Sequence, residues 1–363
     1  MEIIIKTEIE IKTNYSGKTL YYCISEILNY YTAIQGRGGF SEKIIAIQSA
    51  RLLNMAGKSE EAHKYIDRAI SLDEKDELAI LVKGAIYQCE GQFNNAIDYL
   101  KNSLAFLKDP YRVYEDIGNT YIWLDNPGEA INWLLKAKKI NNDSYNLNIF
   151  LGRAFARIGN YLDSSSCYHS ALNKVPDSRA ALIGISANAY FINEYEESIE
   201  WASKVLGLDP MNCEALEILF DSKIEVLGSE SAREVVLETK RKFANKPDNY
   251  DVITFLIPYL IRLGLDSDSE ETIKWAMEEY ALDAELFRKI AEAYGERGKY
   301  KISVEYCDKT LTIDPENRLA LLQKARSSEY LNKKKAAFRI YSQILDIYPG
   351  DIGAIDGIAR TKS

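Results

Sequence analysis

Positions that hold small, aromatic or turn-forming residues recur along this chain with a period of 34 residues. Written in rows of 34 from Lys43 onwards, nine rows fill residues 43–351, with three additional residues at the end of the sixth row. A fixed period of this length is typical of a helix-turn-helix unit repeated in tandem. The rows begin at Lys43, Glu77, Tyr111, Tyr145, Arg179, Cys213, Tyr250, Ala284 and Arg318.

Two positions in each row predict where its two helices cross. The eighth position is small in seven rows, and the exceptions are Phe220 and Ile257. The twentieth position is always alanine or serine: Ala62, Ala96, Ala130, Ser164, Ser198, Ala232, Ser269, Ser303 and Ala337. Because a larger side chain would push two closely crossing helices apart, these positions predict a fixed contact point in each row.

Glycine and proline predict where the helices end. Glycine occupies the fifteenth position of five rows, where a left-handed backbone conformation ends the first helix. Proline lies near the end of four rows, where it stops the second helix. These residues are Gly57, Gly91, Gly159, Gly264 and Gly298, and Pro176, Pro210, Pro315 and Pro349.

The combined pattern resembles the tetratricopeptide repeat. The segments Ile-Phe-Leu-Gly-Arg-Ala-Phe at 149–155 and Ala-Glu-Ala-Tyr-Gly-Glu-Arg-Gly-Lys-Tyr at 291–300 match it well. One hairpin cannot bury its apolar face alone, so neighbouring units stack into a solenoid. The resemblance implies an all-α fold, a right-handed superhelix whose concave groove is lined by the first helix of each unit.

Four segments follow from this alignment. Residues 1–42 form an N-terminal arm and capping helix, 43–249 hold repeats 1–6, 250–351 hold repeats 7–9, and 352–363 form a C-terminal cap. Residues 1–12 alternate charge with isoleucine and predict a short strand or arm, through which the chain could associate with itself. The insertion at 245–249 and Pro258 inside the seventh row predict a geometric break near residue 245.

The resemblance also places a candidate partner-binding site on the groove. Rows three and four bring planar and rigid side chains to the groove positions, and the fifth row adds aromatic ones; such groups form binding hot spots. The site consists of Arg112, Asn119, Trp123, Asn146, Arg153, Arg157, Tyr190 and Phe191. The sixth row is acidic instead, with Glu214, Glu217, Asp221 and Glu225 at helical spacing, which favours a solvated face.

Composition narrows the class of protein. A net charge of −9 and a pI near 5.1 argue against a nucleic-acid binder. No stretch is long and apolar enough for a membrane span or a signal peptide, so we expect a cytoplasmic protein. The two histidines, His63 and His169, lie about three repeats apart and cannot share a metal or a proton relay, so we expect neither an enzyme nor a cofactor.

The sequence therefore predicts a protein–protein interaction scaffold that binds an extended peptide or helix of a partner protein in its groove. Two alternatives stay open at this point. One is a regulatory or sensor subunit that changes its superhelical shape on binding a peptide. The other is a non-catalytic targeting subunit of an enzyme complex. Groove chemistry alone does not name the partner.

Overall fold

The structure, a computed structural model, describes residues 42–243, 250–279 and 283–362. Every element in these ranges is an α-helix, as the period predicts. In chain order the helices are α1 (Glu42–Met55), α2 (Ser59–Leu72), α3 (Glu77–Cys89), α4 (Phe93–Ser103), α5 (Tyr111–Trp123), α6 (Pro127–Ile140), α7 (Tyr145–Arg157), α8 (Tyr161–Leu172), α9 (Arg179–Phe191), α10 (Tyr195–Leu208), α11 (Cys213–Phe243), α12 (Tyr250–Arg262), α13 (Asp266–Glu279), α14 (Ala284–Glu296), α15 (Tyr300–Ile313), α16 (Arg318–Tyr330), α17 (Lys334–Ile347) and α18 (Ile352–Thr361).

The turn inside each hairpin uses one left-handed residue at the fifteenth position of the row. The five predicted glycines adopt it, with φ between 71° and 77°. Asp125, Asn193 and Asn332 adopt it in three other rows, because their short polar side chains tolerate this conformation. In the sixth row the left-handed residue is Gly228, one position later, and α11 consists of two helical segments that meet there.

Side-chain size at the eighth position sets the helix crossing. A Cβ atom added to Gly118 would lie 2.5 Å from Leu134, and one added to Gly152 would lie 2.6 Å from Tyr168. Both contacts are far shorter than van der Waals distance, so only glycine fits. The sixth and seventh rows solve the same problem differently, since Phe220 is fully buried against the rings of Phe255 and Tyr259.

Serines at the twentieth position do more than save space, because their buried hydroxyls link one repeat to the next. Ser164 donates to the Gly152 carbonyl at 2.7 Å and accepts from Asn188 of the following row at 2.8 Å. Ser303 donates to the Ala291 carbonyl at 2.7 Å and contacts the Ser327 hydroxyl at 3.0 Å. Every buried hydroxyl in these pairs is therefore satisfied.

The chain divides into two compact units, unit 1 ending at Asn188 and unit 2 beginning at Ala189. Within each unit, successive hairpins stack through apolar clusters, as expected of a solenoid. The C-terminal segment forms α18, capped by Asp351, which accepts from the Ala354 amide at 2.8 Å.

Three predictions concern residues outside the described ranges. They are the N-terminal strand at 1–12, the helix that would cap the first repeat within 1–42, and the insertion at 245–249. The break near residue 245 stays a prediction. Pro258 is described: it lies inside α12, where it is buried and the helix continues through it to Arg262.

Candidate functional site

The first helices of successive repeats lie side by side in each unit, so their outward faces form a common surface. In unit 1, α5 contacts α7, and in unit 2, α12 contacts α14. The residues on this surface come from the second, sixth, ninth and thirteenth positions of the rows, because these lie on one stripe of a helix. A partner would meet side chains from several repeats at once.

The structure brings six of the predicted site residues together on α5 and α7. We call them the basic surface: Arg112, Asn119, Trp123, Asn146, Arg153 and Arg157. Trp123 is 62% exposed, which is unusual for the largest apolar side chain. An exposed indole beside guanidinium groups provides flat, rigid contact area for a ligand.

The three arginines of the basic surface differ in how they are held. Arg157 donates to Asp125 at 2.9 Å, and Arg112 lies 3.8 Å from the Glu77 carboxylate. Arg153 makes no hydrogen bond or ion pair with any residue in the described ranges. The structure therefore leaves one guanidinium of this surface wholly available, while the other two are held by exposed acids that compete weakly in water.

An unpredicted carboxyl lies on the same stripe of α5. Asp116 follows Arg112 by four residues, and its side chain has no hydrogen-bond partner among the described residues. Desolvation, reinforced by the neighbouring Glu115 carboxylate, raises the pKa of Asp116 to about 7. Glu115 is buried differently, since it accepts from Tyr111 and from Ser144. Spacing from Arg112 was the available signal for Asp116, but burial of its carboxyl is a tertiary property.

Tyr190 and Phe191, the remaining predicted residues, belong to unit 2 and lie against its acidic row. Their ring centroids are 5.7 Å apart, and Phe191 is 59% exposed. Burial raises the pKa of Tyr190, and the nearby carboxylates of Asp221 and Glu225 raise it further. The aromatic pair is therefore part of an acidic environment within its own unit.

Unit 2 also contains a cavity that the sequence analysis did not predict. We call it the charged cavity; its volume is about 310 Å³, and residues of α11, α12 and α14 line it. The lining residues are Glu217, Phe255, Pro258, Tyr259, Arg262, Arg288, Lys289 and Glu292. All of them lie on first helices. The acidic row was interpreted as a solvated face, whereas one of its members, Glu217, lines this cavity.

Most charges around the charged cavity are paired. Arg262 donates to Glu296 at 2.6 Å, and Tyr259 donates to Asp221 at 2.9 Å. Arg288 is held by Glu285 at 2.6 Å and by Glu292 at 3.0 Å. These pairs fix the shape of the walls.

A second cavity of unit 2 lies on second helices, between α11 and α13, and has a volume of about 580 Å³. Its central cation, Lys240, is bound by Asp268 at 2.7 Å and by Glu271 at 2.6 Å. Internal ion pairs thus satisfy its charge. This cavity does not open on the first-helix surface.

The two histidines occupy separate second helices, α2 and α8, and His63 lies 3.2 Å from Glu90. Within the described ranges, no three His, Cys, Asp or Glu side chains form a group that could hold a metal ion. In the same ranges, no helix has both the length and the apolar character that crossing a membrane requires.

Comparisons with known proteins agree with this architecture. A family model described as tetratricopeptide repeat matches residues 111–144, which form the third row. No curated protein sequence matches the chain. Among solved structures, PilW, a widely conserved type IV pilus biogenesis factor, has a TM-score of 0.52 and 18% identity, over 59% of this chain and 99% of that chain.

Two further solved structures are similar over part of the chain. A tetratricopeptide repeat protein from Parabacteroides merdae has a TM-score of 0.48 and 16% identity, over 70% of this chain and 99% of that chain. YrrB, a tetratricopeptide repeat protein with an unusual peptide-binding site, has a TM-score of 0.39 and 21% identity, over 51% of this chain and 95% of that chain.

Tandem antiparallel hairpins that stack through small residues define the chain as an α-solenoid protein. The period of 34, the left-handed turn at the fifteenth position and the matched family model specify which kind. The chain belongs to the tetratricopeptide repeat superfamily.

Proposed function

We propose that the chain is a protein-interaction module that binds an extended peptide or a helix of a partner protein on the basic surface of unit 1. The observation that carries the proposal is the exposure of Trp123 beside an unpaired Arg153 on the adjacent first helix. Exposed tryptophan and arginine are the residue types that dominate binding energy in protein interfaces.

The apolar first helices before the basic surface extend it within unit 1. Ile44 on α1 and Leu78 on α3 are both exposed at the second position of their rows. A bound segment would place apolar residues over them and acidic or amide-rich residues over the arginines, because charge complementarity orients a ligand more than it tightens binding. In unit 2, Tyr190 and Phe191 offer a separate aromatic contact.

Selection from a random peptide library displayed on phage tests the proposal, with the full chain as bait. We expect the selected peptides to be rich in acidic and apolar residues. Substitutions Trp123→Ala and Arg153→Glu should each weaken binding of a selected peptide by about tenfold or more in fluorescence anisotropy.

Two matched control variants replace equally exposed residues on second helices. Leu162 on α8 is 76% exposed, and Lys139 lies exposed at the end of α6. Leu162→Ala and Lys139→Glu should leave peptide binding unchanged. If these variants weaken binding as much as the two on the basic surface, or if no peptide is selected, the proposed site is wrong.

A further inference from the structure

The charged cavity of unit 2 has an apolar floor between walls of opposite charge. The floor is formed by Phe255, Pro258 and Tyr259 of α12. The neighbouring helices, α11 and α14, contact α12 on either side. Because proline has a short, uncharged side chain at the ninth position, no long side chain of α12 fills the space between Glu217 on α11 and Lys289 on α14.

Glu217 and Lys289 are the unpaired members of this charged environment. Neither forms a hydrogen bond or an ion pair with any residue that the structure describes, while Arg262, Arg288 and Glu292 are all paired. The two charges are near enough that Lys289 lowers the pKa of Glu217. They are nevertheless too far apart to form a direct ion pair.

The surroundings of Glu217 disfavour an isolated negative charge. Desolvation raises the pKa of this carboxyl, and the Asp221 carboxylate raises it further, against the opposing effect of Arg262 and Lys289. Glu217 keeps part of its surface in contact with solvent at the mouth of the cavity. A ligand cation placed there would relieve the repulsion from Asp221 and replace lost hydration.

We propose that the charged cavity is a second binding site, which takes a peptide segment with a basic and an acidic side chain close together. The basic side chain pairs with Glu217, the acidic side chain pairs with Lys289, and their aliphatic stems lie on Pro258 and Tyr259. Long charged side chains commonly pack in this way, with the stem on an apolar surface and the charge at the edge.

The observations favour a peptide over a nucleic acid. Glu217 and Glu292 both line the cavity, so a polyanionic backbone would be repelled at two places. A volume of about 310 Å³ is at the small end of ligand sites, which suits a few side chains of a longer segment. This site lies in unit 2 and is independent of the function proposed for unit 1.

The test uses the full chain and three labelled pentapeptides with blocked termini. The parent probe is acetyl-Gly-Lys-Ala-Glu-Gly-amide; the second probe replaces its lysine with glutamine, and the third replaces its glutamate with glutamine. Fluorescence anisotropy at low salt measures the binding of each probe to the wild-type chain and to the variants Glu217→Gln and Lys289→Gln.

We expect a pattern of pairwise coupling. Glu217→Gln should weaken the parent probe about fivefold and leave the lysine-free probe unchanged, because that probe has already lost the partner of Glu217. Lys289→Gln should weaken the parent probe by a similar factor and leave the glutamate-free probe unchanged. Circular dichroism of each variant checks that the fold is retained.

Control variants remove the same charges outside the cavity. Glu214→Gln lies on α11 and Lys274→Gln on α13, and neither residue lines the cavity. Both controls, and Trp123→Ala of the basic surface, should bind the parent probe like the wild type. A loss of binding in Trp123→Ala would assign the probe to unit 1 and overturn the proposal.

Three further results would overturn it. They are the absence of saturable binding of the parent probe, an equal weakening of all three probes by each variant, and competition by free lysine or free glutamate as effective as that by the blocked probe. The last result would assign the cavity to a small molecule instead of a peptide.

Discussion

Replacement of Asp116 by asparagine should stabilise the chain at neutral and alkaline pH. The carboxyl ordinarily has a pKa of 3.8, and desolvation together with Glu115 raises it to about 7. A raised pKa means that the folded state resists ionisation. The stability associated with the protonated form is fully present below pH 3.8 and is lost as the pH rises towards about 7.

The size of the effect follows from this shift. Each unit of pKa difference corresponds to about 1.4 kcal/mol, so a shift of about three units sets an upper limit of about 4 kcal/mol. Asp116 keeps some contact with solvent, and local relaxation reduces the penalty, so we expect about 1–2 kcal/mol at pH 8. Asparagine has nearly the same shape and no charge, so it avoids this penalty.

Urea unfolding followed by far-ultraviolet circular dichroism provides the assay. The unfolding midpoint of Asp116→Asn should exceed that of the wild type at pH 8, and the difference should shrink at pH 5. A control, Asp98→Asn, removes an exposed carboxylate from α4 of the same unit and should show little change. A gain that is equal at both pH values, or a loss at pH 8, would refute the argument from burial.

Three stability predictions follow from the packing of the hairpins. Gly152→Ala should destabilise the chain by about 1–3 kcal/mol because its Cβ would overlap the Tyr168 ring, and Tyr168→Leu should partly rescue it; thermal unfolding of the single and double variants checks this. Ser303→Ala should cost about 1–2 kcal/mol, since it removes the buried hydroxyl that donates to the Ala291 carbonyl, whereas a smaller change in the unfolding midpoint would argue that water replaces it. Asp351→Ala should remove the cap of α18 and cost about 1 kcal/mol, and hydrogen exchange should speed up in α18 first.

The period of 34 predicted the helices, their turns and their crossing points because each of these depends on residues close together in sequence. Gly57 predicts a left-handed turn through its own backbone, and Ala62 predicts a close crossing through its own size. The aspartate and asparagines that replace glycine at the fifteenth position are weaker signals, because many other conformations suit them.

The basic surface was predicted from the same period, since position in a row decides which face of a helix a residue occupies. Only the tertiary structure decided which of its charges are available. Arg157 and Arg153 hold corresponding roles in the sequence, yet Asp125 of the preceding turn binds the first and leaves the second unpaired. The burial of the Asp116 carboxyl is likewise a result of packing between helices.

The charged cavity depends on three helices that are far apart in sequence. Its walls come from Glu217 and Lys289, and its floor exists because Pro258 lies between them. Row positions alone showed a charged face and an irregular helix as separate features. The sequence by itself therefore determined the repeat, because its interactions are local, whereas tertiary packing decided which side chains are buried, paired or free, because those interactions join different repeats.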